Sequence, residues 1–194
     1  MDILYEKELR KNNSPHLLYI ILLLHDIGKS DGIKGHAESG AILAEPILNR
    51  LGFKKENQKK ILFIIRKHLE MARFWQRYDL DDIQTAISFS EIIKNAELLR
   101  FLTVHTYCDA KGTAPTLWNN YKDSMHKTLF FKTLKILKDL TNSDTLNKEY
   151  KAMLKKDVLQ LSLGNLPEEE VEAHFSLLPE RYFVNTSANE AILH

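Results

Sequence analysis

His25 and Asp26 set an imidazole and a carboxylate side by side at the end of an unbroken apolar run, Leu17 to Leu24 except for Tyr19. Side chains delivered there emerge at the rim of a core rather than in bulk solvent. Such a pair can be a helix cap with its hydrogen-bond partner. It can equally hold a divalent cation, since imidazole nitrogen and carboxylate oxygen are the ligands expected for Mn, Fe, Mg or Zn. A carboxylate can also bridge two cations, an arrangement suited to phosphate-ester hydrolysis: the cations acidify a bound water and neutralise phosphoryl charge. The company the doublet keeps favours the cation reading. His36 follows Gly35, His68 follows Lys67 and Asp109 follows Cys108, each at a predicted helix end that a bundle could bring to one place. His16, His105, His126, His174 and His194 read as surface or satisfied-core histidines.

The elements that must position these residues are helical. Only 7 Gly and 5 Pro punctuate the 194 residues, and apolar residues recur at helical rather than alternating spacing. Ser14-Pro15 predicts the start of a helix that carries the apolar run to about Gly28. A second runs from His36 to before Gly52, kinked at Pro46, with Ala37, Ala41, Ile42, Ala44, Ile47, Leu48 and Leu51 as its buried stripe. Further helices are expected over 56–69, over 83–90 capped by Asp81-Asp82, over 96–110, and from Pro115 to Leu140. In the last of these Trp118, Tyr121, Met125, Leu129 and Leu134 should face inward. Thr141-Asn142-Ser143-Asp144 predicts a break before a further helix to about Leu163. The organisation expected is a helical domain over 1–163 and a C-terminal extension over 164–194, with a helix from Leu166-Pro167 to Leu178-Pro179 and an extended piece and short helix over 183–194.

Composition excludes several functions. Lys+Arg 27 against Asp+Glu 26 gives a formal net charge of +1, so no global field favours nucleic acid or a membrane surface. The longest apolar run falls far short of the ~20 residues that span a bilayer, and the N-terminus lacks a signal-peptide core. The single cysteine, Cys108, rules out an internal disulfide and a CxxC zinc site. A soluble, cytoplasmic protein is expected.

Longer segments sharpen the reading. LLLHDIGKS, GHAESGAILAEPIL, IIRKHLEMARFWQRYDLDD and LLRFLTVHTYCDAKGTAPTLWNNYKDSM resemble the HD-domain metal-dependent phosphohydrolases. Within them the resemblance is to the HD domain of bacterial PII uridylyltransferase/uridylyl-removing enzymes, over roughly residues 17–140. It implies an all-α HD-domain bundle, a divalent-metal centre (Mn2+ or Mg2+, with Fe2+ or Zn2+ as alternatives), and hydrolysis of the diester that links UMP to a tyrosine of the PII signalling protein. Carried over by residue, His25, Asp26 and Asp109 match one metal's ligands, and His36 and His68 match those that hold a second beside Asp26. Lys29 matches a lysine near the phosphate. The family's upstream ligand histidine has no counterpart before His25, where His16 is the sole histidine. The nucleotidyltransferase half and the regulatory domains of the larger enzyme are absent from this sequence.

Arg73, Gln76, Arg77 and Asp79 could line a phosphate or uridine pocket or form a solvated loop. Asn119 and Lys122 could face substrate, whereas Trp118 reads more simply as core. Three functions remain open on these residues: the uridylyl-removing hydrolase, an HD hydrolase of small nucleotides or nucleotide diesters, and a truncated regulatory module without activity.

Overall fold

A computed structural model of the chain describes residues 3–162, 166–179, 182–183 and 186–193. Every regular element among them is helical, as the periodicity predicts: α1 (Ile3–Arg10), α2 (Leu17–Leu24), a 3-10 turn (Ile27–Asp31), α3 (His36–Arg50), α4 (Lys55–Lys67), α5 (Glu70–Arg77), α6 (Ile83–Ile93), α7 (Ala96–Thr113), a second 3-10 turn (Pro115–Leu117), α8 (Asn120–Leu161), α9 (Glu168–Ser176) and α10 (Ala188–Leu193). Packing divides the chain into two compact units, 1–137 and 138–194. The sequence-based division at 163/164 falls on residues outside the described set. No described helix is long and apolar enough to cross a membrane.

In the first unit α2 is the anchor. It buries Leu17, Leu18, Ile21 and Leu24, each contributing about 1.5–3 kcal/mol relative to exposure. The apolar run is not all core, however: Tyr19 and Leu23 are 77% and 75% exposed. A 3.6-residue repeat turns every third or fourth side chain away from the packed face whatever its chemistry. The same core takes in Ile61, Ile64 and Ile65 of α4, Met71 of α5, Phe89 of α6, and Leu99, Phe101 and Leu102 of α7. The second unit has its own small core of Leu154, Val158, Val171, Phe175, Phe183 and Ala191.

Several expectations need correction. α2 ends at Leu24, and the chain from Ile27 tightens into a 3-10 turn instead of continuing as helix to Gly28. The expected loop after His68 is helix α5, which buries Met71, Phe74 and Trp75. Those apolar residues at i, i+3 and i+4 are enough to anchor a turn-rich charged segment. The segment 141–144 does not break: α8 runs through it. Thr, Asn, Ser and Asp cost only about 0.5 kcal/mol each against better helix formers, and no Gly or Pro stops the ladder. α8 begins at Asn120 rather than Pro115, and Tyr121 is exposed rather than inward. In α3 Ile42 and Leu51 of the expected stripe are exposed, and Gly40 is buried instead. Pro46 lies inside α3 without ending it. α6 extends to Ile93, capped as expected by Asp82, which accepts from the Gln84 N–H at 2.9 Å.

Candidate metal centre

Four of the residues singled out by sequence stand where helices end, whereas Asp109, expected to close a helix over 96–110, lies within α7, which runs on to Thr113. His25 is the C-cap of α2 and Asp26 the next residue. His36 opens α3 behind Gly35, whose φ of 81° is a left-handed turn open to glycine. His68 is the C-cap of α4, and Asp109 lies on α7. Gly28 fixes the approach of these segments. A Cβ there would sit 2.2 Å from the His36 carbonyl oxygen and 2.4 Å from the Gly40 nitrogen, so the turn after Asp26 lies directly on the backbone of α3. Close approach, not a positive φ, is what requires glycine at 28.

Two sets of ligand atoms result, each mutually within 4.8 Å: Asp26 with His36 and His68, and Asp26 with His25 and Asp109. Asp26 belongs to both. Its Oδ1 lies 3.4 Å from His36 Nε2 and 3.7 Å from His68 Nε2, and its Oδ2 lies 3.3 Å from His25 Nε2. His25 Nε2 is also 3.3 Å from Asp109 Oδ1, yet its orientation completes a hydrogen bond to neither carboxylate. Lys29 Nζ holds Asp26 Oδ2 at 2.5 Å.

The tautomers follow from the other ring nitrogens. Nδ1 of His25 is 2.9 Å from the Leu22 carbonyl, that of His36 2.6 Å from Ile33, and that of His68 2.7 Å from Ile65. A carbonyl only accepts, so each Nδ1 carries the hydrogen and each neutral ring presents a bare lone pair at Nε2. His36 and His68 then face each other Nε2 to Nε2 at 3.2 Å, lone pair toward lone pair, which is repulsive without a cation between them. Two nitrogens on one divalent metal, with bonds of about 2.1 Å, stand about 3.0–3.4 Å apart for right-angled to tetrahedral geometry. The residues present therefore fit a divalent cation in donor type, tautomer and spacing.

Without a metal the electrostatics divide the cluster, favouring a proton on His25, which a cation would have to displace, and the neutral ring at His68. Burial opposes charge on His25, but the neighbouring Asp109, the Leu22 carbonyl and Asp26 raise its pKa above the ordinary value. Burial works against the Asp26 carboxylate too, but Lys29 and His25 hold its pKa below the usual range. Asp109 is lowered by His25 beside it. Burial lowers His68, aided by the nearby His25 and His36.

Sequence reasoning missed His105. It is fully buried on α7, one turn before Asp109, with its ring 4.8 Å from that of His25 and 5.8 Å from that of His68. Neither ring nitrogen has a hydrogen-bond partner, and burial, with His25 and His68 alongside, lowers its pKa to about 3. The i, i+4 spacing to Asp109 was the available signal. It is not a member of either ligand set. His126, in contrast, is a core histidine bonded at Nε2 to the Thr103 carbonyl at 3.0 Å.

Beside the cluster opens a cleft of about 250 Å3 that shares His68 and Asp109 with it. Of the expected substrate residues Lys122 lines this cleft, with its Nζ on the Leu117 carbonyl at 2.8 Å. Arg73 and Arg77 are exposed on α5 and do not line it, although Gln76 between them does. Asn119 instead caps α8, accepting from the Lys122 N–H at 2.9 Å.

A helical domain that gathers histidines and aspartates from successive helix ends into carboxylate-sharing ligand sets belongs to a recognisable class, and residues 2–92 match it as an HD domain. That segment belongs to the HD-domain family, whose members are metal-dependent phosphohydrolases. The chain is similar to the bifunctional uridylyltransferase/uridylyl-removing enzyme of Ruegeria pomeroyi, with 32% identity over 82% of its length. It spans 17% of that enzyme. No solved structure matches.

Proposed function

We propose that this chain is a metal-dependent phosphodiesterase of the uridylyl-removing kind, which cleaves UMP from a tyrosine of a PII-type signalling protein. The observation that carries the reading is the sharing of Asp26 between two ligand sets whose histidines all present Nε2 lone pairs. Similarity to a uridylyl-removing enzyme over most of the chain supports the substrate class.

His25, Asp26 and Asp109 would hold one divalent cation, and His36 and His68 with Asp26 a second, Mn2+ or Mg2+ being the best-suited ions. When bound, they supply Lewis-acid stabilisation of phosphoryl charge and a more acidic water. The carbonyls of Leu22, Ile33 and Ile65 keep the three rings oriented, so no rotation is needed when substrate arrives. Lys29, half-exposed and next to Asp26, brings a positive charge to a phosphoryl oxygen once the carboxylate is otherwise engaged. In the reaction water adds to phosphorus, the P–O bond to tyrosine breaks, and UMP and a tyrosine hydroxyl form. A phenol with a pKa of about 10 leaves far more readily than an alcohol, so no residue need act as an obligatory proton donor.

The test is release of UMP from uridylylated PII protein by the Mn2+-loaded chain, with Asp26→Ala as control. Release abolished by the substitution is expected. A metal-loaded chain that releases no UMP would sink the proposal.

A further inference from the structure

The cleft next to the metal centre offers a second recognition problem, and its walls suggest the answer. It shares His68 and Asp109 with the ligand cluster, so whatever fills it lies directly beside a phosphate held there. Its apolar walls come from Leu69, Ala72 and Trp75 of the α4–α5 corner and from Leu117 and Trp118 before α8. Gln76, Thr113 and Lys122 add polar groups. Trp75 is only 8% exposed, and its buried Nε1 has no hydrogen-bond acceptor. Trp118 spends its own Nε1 on Asp123 at 3.1 Å.

We infer that this cleft binds the pyrimidine nucleoside half of the phosphodiester, so that the protein grips its substrate by the nucleotide rather than by the tyrosine. The inference rests on the phosphodiesterase reading above and adds the side from which the substrate is held. Indole walls suit a flat base, which stacks on aromatic side chains whatever its hydrogen-bonding edge. A uracil ring brings two carbonyl oxygens and an N–H, which Gln76, able both to donate and to accept, can meet. The nucleoside is the terminal half of the diester, with nothing beyond its base to clear. The tyrosine ring is followed by polypeptide, which needs an open approach. A cleft of about 250 Å3 has room for a nucleoside.

The two tryptophans of the cleft are the only two in the chain, so intrinsic fluorescence of the Mg2+-loaded protein reports this cleft alone. Titration with UMP, uridine, ribose 5-phosphate and phenyl phosphate is expected to change the emission with UMP and uridine. Ribose 5-phosphate should bind about tenfold to a hundredfold more weakly than UMP, the range that base–aromatic stacking supplies. Ala72→Phe, which fills the cleft from α5, should weaken UMP by a similar factor. Circular dichroism and metal stoichiometry show whether that variant is folded, and Trp75→Phe, which keeps a ring but a smaller one, gives a milder second probe with a few-fold weakening. Equal binding of UMP and ribose 5-phosphate would overturn the inference. So would unchanged UMP binding in a folded Ala72→Phe, or a phenyl phosphate signal that exceeds that of uridine. Hydrolysis of bis(p-nitrophenyl) phosphate is measured in parallel. If it is metal-dependent while UMP binds no better than ribose 5-phosphate, the cleft assignment fails alone. If it is absent, the phosphodiesterase reading fails, and the fluorescence comparison still decides the cleft.

Discussion

Two carboxylates in the first unit, Asp123 and Asp26, sit among aromatic and imidazole rings, and the difference between them separates scaffold from site. Asp123 is fully served. Tyr5 Oη donates to its Oδ1 at 2.7 Å, Trp118 Nε1 donates to the same oxygen at 3.1 Å, and Lys127 Nζ lies 2.7 Å from Oδ2. Every neighbour there is a donor, and the cluster ties α1 to α8 through a network that needs nothing more. Asp26 faces the opposite situation. Three of its neighbours are imidazole nitrogens whose rings, when neutral, spend their hydrogen on a backbone carbonyl, so acceptors then confront acceptors around it, and only Lys29 donates. Donor-rich polar clusters stabilise a fold; acceptor-rich ones wait for a cation.

The backbone at Gly28 holds Asp26 in place against α3. Gly28→Ala should push the turn after Asp26 off α3, because the added carbon would overlap main-chain atoms that cannot swing aside. A loss of about 3 kcal/mol or more is expected, above the usual cost of overpacking because backbone must move. Urea denaturation measures it, and metal binding should fall with it. Next in size is Asp26→Ala, which removes a ligand common to both sets. Metal affinity should drop at least about a hundredfold, or ~2.7 kcal/mol, by isothermal titration with Mn2+, while the metal-free protein stays folded. If affinity barely changes, the acceptor-rich cluster is not a cation site.

Asp123→Ala strands the Tyr5 hydroxyl and the Trp118 N–H, and should cost about 2 kcal/mol of stability without altering Mn2+ affinity. The pH dependence has a definite sign. Burial opposes ionisation of Asp123, but Lys127, Tyr5 and Trp118 together lower its pKa below the ordinary 3.8. Its contribution is therefore fully present above that value and is lost as pH falls through the lower, folded one. The stability difference between the parent protein and Asp123→Asn should shrink over that acid window in urea titrations at stepped pH. The smallest effect belongs to His105→Leu, which removes two buried nitrogens without partners and should stabilise the metal-free protein by about 1 kcal/mol. A destabilisation would mean that the ring has an acceptor or donor in solution.

Much of the architecture could be read from residue order, because helix ends are written in local chemistry. Gly35-His36, the Asp82 cap and the apolar stripe of α4 each announce an element without help from the rest of the chain. Cluster membership was less legible. His25, Asp26, His36, His68 and Asp109 share the habit of standing at or near helix ends, and that habit made them visible. His105 stands in mid-helix, where a buried histidine looks like any core residue until its neighbours are known. α5 was hidden by its charges, since Glu70, Arg73 and Arg77 are interleaved with the three apolar residues that decide the packing. Gly28 looked only like the end of a helix, because its contact with Gly40 and His36 is one that only the packed backbone reveals.

The pairing of Lys29 with Asp26 carries a consequence for how the site fills. The ammonium group already occupies the carboxylate oxygen nearest His25, so loading a cation is an exchange of one positive charge for another rather than entry into a vacant nest. The lysine acts as a tethered competitor present at high effective concentration. It holds the carboxylate ionised before metal arrives and weakens the apparent affinity of whatever displaces it. A Lys29→Met chain should accordingly bind Mn2+ more tightly while hydrolysing its substrate more slowly, so that occupancy and turnover move in opposite directions.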